Sequence, residues 1–172
     1  MAKYLKSSNF LHENRPDLAG EHKFTDAGQI ILLIIFLVVW ILDSFVFKYS
    51  IFLNEYVRWF FRVLPGILML AIGQYLSFSG IRIVFGEKRE PAQVITKSVF
   101  SIIRHPVYFG SIISILGLVV TTLSILSFLI WIIIVVFYYL VARYEEKLLL
   151  SKFGKEYEDY MRKVPMLFPF KL

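Results

Sequence analysis

The 172-residue chain contains no cysteine and little charge. Without cysteine there is no disulfide framework, no thiolate nucleophile and no cysteine-ligated metal. Only 19% of the residues are charged and 58% are hydrophobic, against about 25% and about 45–50% in a soluble domain. That excess is too large for one ordinary water-soluble core, and the length leaves room for a single domain. Aromatic residues at 17% demand burial and exclude disorder. The net charge of +6 fits either nucleic acid or a cytoplasmic membrane face, and its distribution decides between them.

Three stretches lack fixed charge almost entirely. The first runs over residues 27–47, with Asp43 as its one acid; the second is Val63–Ile81, bracketed by Arg62 and Arg82. The third lies between Arg104 and Arg143 and holds 38 residues. A helix needs about 20 residues to cross the roughly 30 Å hydrocarbon layer. The third stretch is therefore two crossings joined at the polar cluster Thr121, Thr122 and Ser124. The chain reads as an all-α integral membrane protein with four transmembrane helices and a C-terminal cytosolic helical segment. The crossings are expected at about 27–47, 63–81, 106–121 and 124–143, with a cytosolic tail over 144–172. Together, 27–172 forms one membrane-embedded domain behind a cytosolic or interfacial segment over 1–26.

Lysine and arginine number four in residues 1–26, three in 48–62, five in 82–104 and seven from 143 onward. With both termini cytoplasmic, sixteen of the nineteen lie inside, as the positive-inside rule requires. The basic surplus is thus topological, and nucleic acid is not an expected partner. The first 26 residues mix both signs of charge without an apolar run, so no cleavable signal peptide is expected. His12 and His22 in that segment have no companions at metal spacing, and no metal is expected. Asp43 is the one intramembrane acid, a functional candidate by position. Near the outer end of its crossing it can reach headgroups or water, which favours a structural role.

Two polar segments meet on the cytosolic side. One ends in Arg104-His105-Pro106-Val107-Tyr108-Phe109-Gly110. Pro106 suits the first turn of a helix, which makes His105 the cap and puts Tyr108 three residues on, on the same side of that turn. A helix start carries free N–H groups and partial positive charge, suited to a carboxylate or phosphate, and Arg104 adds a full charge. The alternative is that Arg104 and His105 mark the interface and Tyr108 belongs to its aromatic belt. Further on, Gly110, Ser114, Gly117 and Thr121 form a small-residue stripe for close helix packing. The other polar segment holds Arg143, Glu145 and Glu146 where the fourth helix leaves the bilayer, continuing to about Lys152 with Gly154 as its stop. Neighbouring residues differ by about 100° around a helix, so one glutamate is expected to face any site, the other being solvated or paired locally. A snorkelling ion-pair cluster is the competing reading.

Val94-Ile95-Thr96-Lys97-Ser98-Val99-Phe100 followed by Arg104-His105-Pro106-Val107-Tyr108-Phe109-Gly110 resembles the opening of the catalytic half of integral-membrane isoprenylcysteine carboxyl methyltransferases. Phospholipid methyltransferases carry a looser version. The tail resembles the second block of that family, with Glu145-Glu146, Phe153-Gly154, Tyr157, Tyr160, Val164-Pro165 and Phe168-Pro169. The resemblance covers residues 94–169. It implies S-adenosylmethionine as cofactor, held at the cytosolic membrane edge by His105, Tyr108 and Glu145 or Glu146, with Arg104 beside them. The implied activity is methyl transfer to a lipophilic, membrane-partitioned acceptor such as a prenylated cysteine carboxylate. The family's arginine upstream of the acids does not fall on Arg143. Membrane sterol and enone reductases, which bind NADPH, share similar blocks but are longer. A non-catalytic membrane protein retaining the fold is the third reading.

Overall fold

The computed structural model describes residues 23–86 and 92–168. The segment carrying His12 and His22, and Pro169 of the tail, lie outside the described residues. Among the described residues there are five α-helices: α1 (Lys23–Ile41), α2 (Trp59–Gly86), α3 (Pro106–Thr122), α4 (Ile125–Phe153) and α5 (Lys155–Lys163). α1 continues through a wider turn of π-helix, Leu42–Phe47. Single 3-10 turns occupy Phe52–Glu55 and Ser98–Ser101. No strand occurs among the described residues.

Three helical segments are long and apolar enough to cross a bilayer: Ala27–Phe47, Trp59–Gly86 and Ile125–Phe153. α3 is a shorter apolar helix of 17 residues, at the lower limit for a crossing. Ile30, Ile34 and Val38 on α1, and Leu64, Leu68 and Ile72 on α2, are exposed. Apolar surface of that extent is stable only against lipid. The protein is an integral membrane protein.

α2 is longer than the charge-free run 63–81, because neither Arg62 nor Arg82 ends it. Arg62 Nη1 donates to the Thr121 carbonyl at 2.6 Å, placing a cation on one of the last carbonyls of α3, where the helix dipole favours it. α3 starts on Pro106 and stops at Leu123, which takes a left-handed conformation at φ 49°. Ser124 then caps α4 by accepting from the Ser127 N–H at 3.1 Å. α4 ends one residue beyond the predicted Lys152, and Gly154, at φ +52°, makes the break before α5.

The small-residue stripe of α3 packs against α2, which carries its own stripe of Gly66, Gly73 and Gly80, all buried. A Cβ placed on Gly66 would lie 2.7 Å from the Gly117 carbonyl, and one on Gly117 would lie 2.6 Å from that of Gly66. Only glycine permits that approach. α1 packs on α4, and Phe36, Ile112, Ile134, Tyr138, Ala142 and Leu167 form the common core.

Asp43 does not reach headgroups or water. It is 3% exposed and accepts from the Ser50 N–H at 2.9 Å, the Ser50 hydroxyl at 2.5 Å and the Ser124 hydroxyl at 2.6 Å. The Ser50 hydroxyl also accepts from the Leu126 N–H at 3.0 Å. The acid thus fastens the end of α1 to the start of α4. This stands in place of the exposure expected from its position, because the chain after α1 folds back over it.

Candidate functional site

The site lies where the connection before α3, the last turns of α4 and the tail converge. Its frame is main chain. The Arg104 N–H donates to the Pro165 carbonyl at 3.0 Å and the His105 N–H to that of Met166 at 3.2 Å. The tail is held in that register by a second small core, in which Tyr157, Tyr160 and Val164 pack against Val94, Leu149 and Phe153. The Tyr160 hydroxyl donates to the Phe100 carbonyl at 2.6 Å. Burial pushes the Tyr157 and Tyr160 phenols far above their ordinary range, so both remain hydrogen-bond donors at any physiological pH.

Arg104 ties this frame together. Its Nε donates to Glu146 Oε1 at 2.6 Å, and its Nη1 donates to the carbonyls of Met161 at 2.8 Å and Val164 at 2.5 Å. These carbonyls belong to the end of α5, where a cation is favoured. A guanidinium committed in this way braces α5 against α4.

His105 caps α3 with its backbone carbonyl, which accepts from the Phe109 N–H at 3.0 Å. Its side chain is 7% exposed and lies between two acids, with Nδ1 3.5 Å from Glu145 Oε2 and Nε2 3.4 Å from Glu146 Oε1. Both glutamates therefore face the site, against the expectation of one. The imidazole presents a nitrogen on each side, and two flexible Glu side chains span the angle that separates their Cα atoms. Nε2 is buried without a hydrogen-bond partner. Burial opposes the charged form of His105, but the two carboxylates outweigh it and raise the pKa above its ordinary value.

The Tyr108 ring stacks parallel to His105, with centroids 5.6 Å apart, and packs against Tyr138 at 5.2 Å. Its hydroxyl donates to Glu145 Oε1. The Glu145 carboxylate thus bridges tyrosine and histidine while its side chain stays 22% exposed. Arg143 lies apart, exposed and held over Tyr139 with its guanidinium carbon 5.9 Å from the ring centroid. Tyr138 was missing from the sequence reading, although it lies seven residues before Glu145 and so on the same helical face. Among the described residues, no group of three or more His, Cys, Asp or Glu is placed to hold a metal ion.

The sequence profile of the family described as phospholipid methyltransferase matches residues 61–156. The chain belongs to this family. The phospholipid methyltransferase match opens in α2, takes in Arg104, His105, Tyr108, Glu145 and Glu146, and closes in α5. A methanethiol S-methyltransferase of Crocosphaera subtropica is 35% identical over 92 residues, which is 52% of this chain. The chain spans about a third of the length of that curated relative, 35% of it. No solved structure matches the chain.

Proposed function

We propose that the protein is an S-adenosylmethionine-dependent methyltransferase acting on a membrane-partitioned acceptor. The donor would sit at the cytosolic face, between the start of α3 and the end of α4. The observation that carries this reading is an incomplete polar cluster. Among the described residues, His105 Nε2 is buried and meets only Glu146 Oε1, at 3.4 Å and outside hydrogen-bond geometry, and the Glu145 carboxylate beside it remains partly accessible. A buried unpaired nitrogen is costly, and a ligand acceptor placed there relieves the cost. The donor offers complementary groups in its carboxylate, ammonium and ribose hydroxyls. Its bound form would supply a methyl group already activated on a sulfonium, so the chemical step asks the protein chiefly for positioning and exclusion of water.

The residues divide that work. His105 donates to an anionic group at the helix start, and Glu145 accepts from hydroxyl or ammonium hydrogens. Tyr108 holds Glu145 in place through its hydroxyl, while Glu146 and Arg104 fix His105 and the tail. The excess of lysine and arginine beside this end of the helices supports the cytosolic side. The relative's name specifies a thiol, which makes a thiol the first acceptor to test.

Calorimetric titration of the detergent-purified protein with S-adenosylhomocysteine, and in parallel with NADPH, tests the reading. Saturable binding of the former alone, weakened by Tyr108→Phe, is expected. Binding of NADPH alone would move the protein to the membrane reductases. Silence for both in folded protein would leave a non-catalytic membrane protein.

A further inference from the structure

A cavity of about 350 Å³ opens inside the helical bundle, where the α1–α4 pair faces the α2–α3 pair. It is lined by side chains from all four helices, and its polar ones are Gln29, Gln74, Ser111, Ser114 and Tyr138. Among the described residues no Asp, Glu, Lys, Arg or His lines it. Ile30, 59% exposed on α1, forms part of the lining on the lipid side. Tyr138 also lines the cavity, and its ring packs on Tyr108 of the candidate donor site. The lining therefore includes both a residue exposed on the outside of the bundle and a ring in contact with that site.

Two glutamines within candidate membrane-spanning helices, Gln29 near the start of its span and Gln74 inside α2, are unusual, and their hydrogen-bonding capacity is only partly used. The Gln74 amide donates to the Ser114 hydroxyl at 3.1 Å, which leaves its carbonyl oxygen for another donor. Gln29 makes no side-chain hydrogen bond among the described residues. An apolar cavity with a few convergent polar groups is the usual form of a small-molecule site, and its volume falls at the low end of their range. A lipid with two long acyl chains exceeds it. A charged group would enter without a counter-charge and is strongly disfavoured.

We infer that this cavity receives the acceptor, and that the acceptor is an uncharged, compact molecule with one hydrogen-bonding group on an apolar body: a thiol, phenol or alcohol. Its role as acceptor rests on the proposed methyl transfer; its binding does not. In that transfer the acceptor's sulfur or oxygen forms the new bond to the methyl carbon as the donor's carbon–sulfur bond breaks. The bonding pair returns to the donor sulfur and the acceptor's proton leaves to water.

The test compares two fluorinated probes of matched shape, 4-(trifluoromethyl)phenol and 4-(trifluoromethyl)benzoate, by fluorine NMR on the full chain in detergent micelles. Saturable broadening of the phenol signal is expected, with benzoate binding at least about fivefold weaker. The Gln74→Leu variant should weaken the phenol by about fivefold, the loss of one hydrogen bond, and Leu70→Trp should abolish its binding by filling the cavity. Equal binding of benzoate, displacement of the phenol by a lysophospholipid at equal concentration, non-saturable broadening, or unchanged phenol binding in Gln74→Leu would each overturn the inference. S-adenosylhomocysteine titration of the same samples separates the two claims. Loss of phenol binding with intact nucleotide binding removes the acceptor cavity alone, whereas the reverse removes the methyl-transfer reading and leaves the cavity.

Discussion

Two buried clusters of charge sit at opposite ends of α4, separated by roughly 30 Å of helix. At the first, Asp43 is enclosed by Ser50 and Ser124 and three hydrogen bonds reach its carboxylate. At the second, Arg104, His105, Glu145 and Glu146 are linked through looser contacts, and His105 Nε2 meets Glu146 Oε1 only at 3.4 Å, outside hydrogen-bond geometry. Both clusters fasten helices to neighbouring segments. They differ in access and geometry: the Asp43 carboxylate receives three close hydrogen bonds and is 3% exposed, while Glu145 stays 22% exposed and His105 Nε2 meets Glu146 only at 3.4 Å. Within one bundle, access to the charged groups separates the candidate site from the clamp better than unpaired atoms do, since Ser44 Oγ and Arg62 Nε towards the Asp43 end are also buried without a partner among the described residues.

The sharpest way to break this comparison is at Glu146, which belongs to both roles. Glu146→Ala leaves the buried Arg104 guanidinium without its carboxylate, held only by the Met161 and Val164 carbonyls, and should cost about 3–5 kcal/mol in thermal unfolding in detergent. Arg104→Met combined with Glu146→Leu should recover most of that loss, since breaking a buried pair is far worse than replacing it. At the other end, Asp43→Ala should cost about 1–3 kcal/mol by orphaning two hydroxyls and an N–H, with no change in S-adenosylhomocysteine affinity. A change in affinity there would dissolve the distinction between the ends. Tyr108→Phe should do the reverse, weakening nucleotide binding by about tenfold, or about 1.4 kcal/mol, while the melting temperature stays unchanged.

A smaller effect separates the ends by pH. The folded state holds the pKa of His105 above its ordinary 6.5. Its contribution to stability is therefore complete below about pH 6.5 and lost as the pH rises through the higher folded-state value. His105→Gln should flatten that part of a stability-versus-pH curve, and a slope that survives the substitution would assign it to another group. The smallest expected change is at Arg143: Arg143→Ala should leave both melting temperature and nucleotide affinity unaltered.

Charge-free runs made the helical content readable, because lipid tolerates few fixed charges over about 20 residues. Pro106 and Gly154 marked a helix start and a helix stop for local steric reasons. Helix ends set by distant partners were not readable. Arg62 looks like a boundary until the Thr121 carbonyl that receives it is known. The stripe on α3 could be read as a packing face, yet its partner was missed although Gly66, Gly73 and Gly80 repeat every seven residues on α2. Of the candidate site, the five predicted side chains do converge. The sequence could not reveal that Arg104 spends its hydrogen bonds on the tail, or that Glu145 and Glu146 flank one imidazole. Those facts depend on carbonyls of Met161 and Val164 and on a tail register that no local pattern encodes.

The main-chain pairing of Arg104 and His105 with Pro165 and Met166 also fixes an order of assembly during translation. The α2–α3 glycine contact and the Asp43 clamp use no residue beyond Phe153, so they can form before the tail is available, although Leu167 completes the common core only afterwards. The wall around His105 waits for residue 166. Nascent chains cut short before that point would be membrane-inserted and clamped at one end but would lack the wall of the candidate site at the other, because residues 165 and 166 pair with backbone groups about sixty positions earlier.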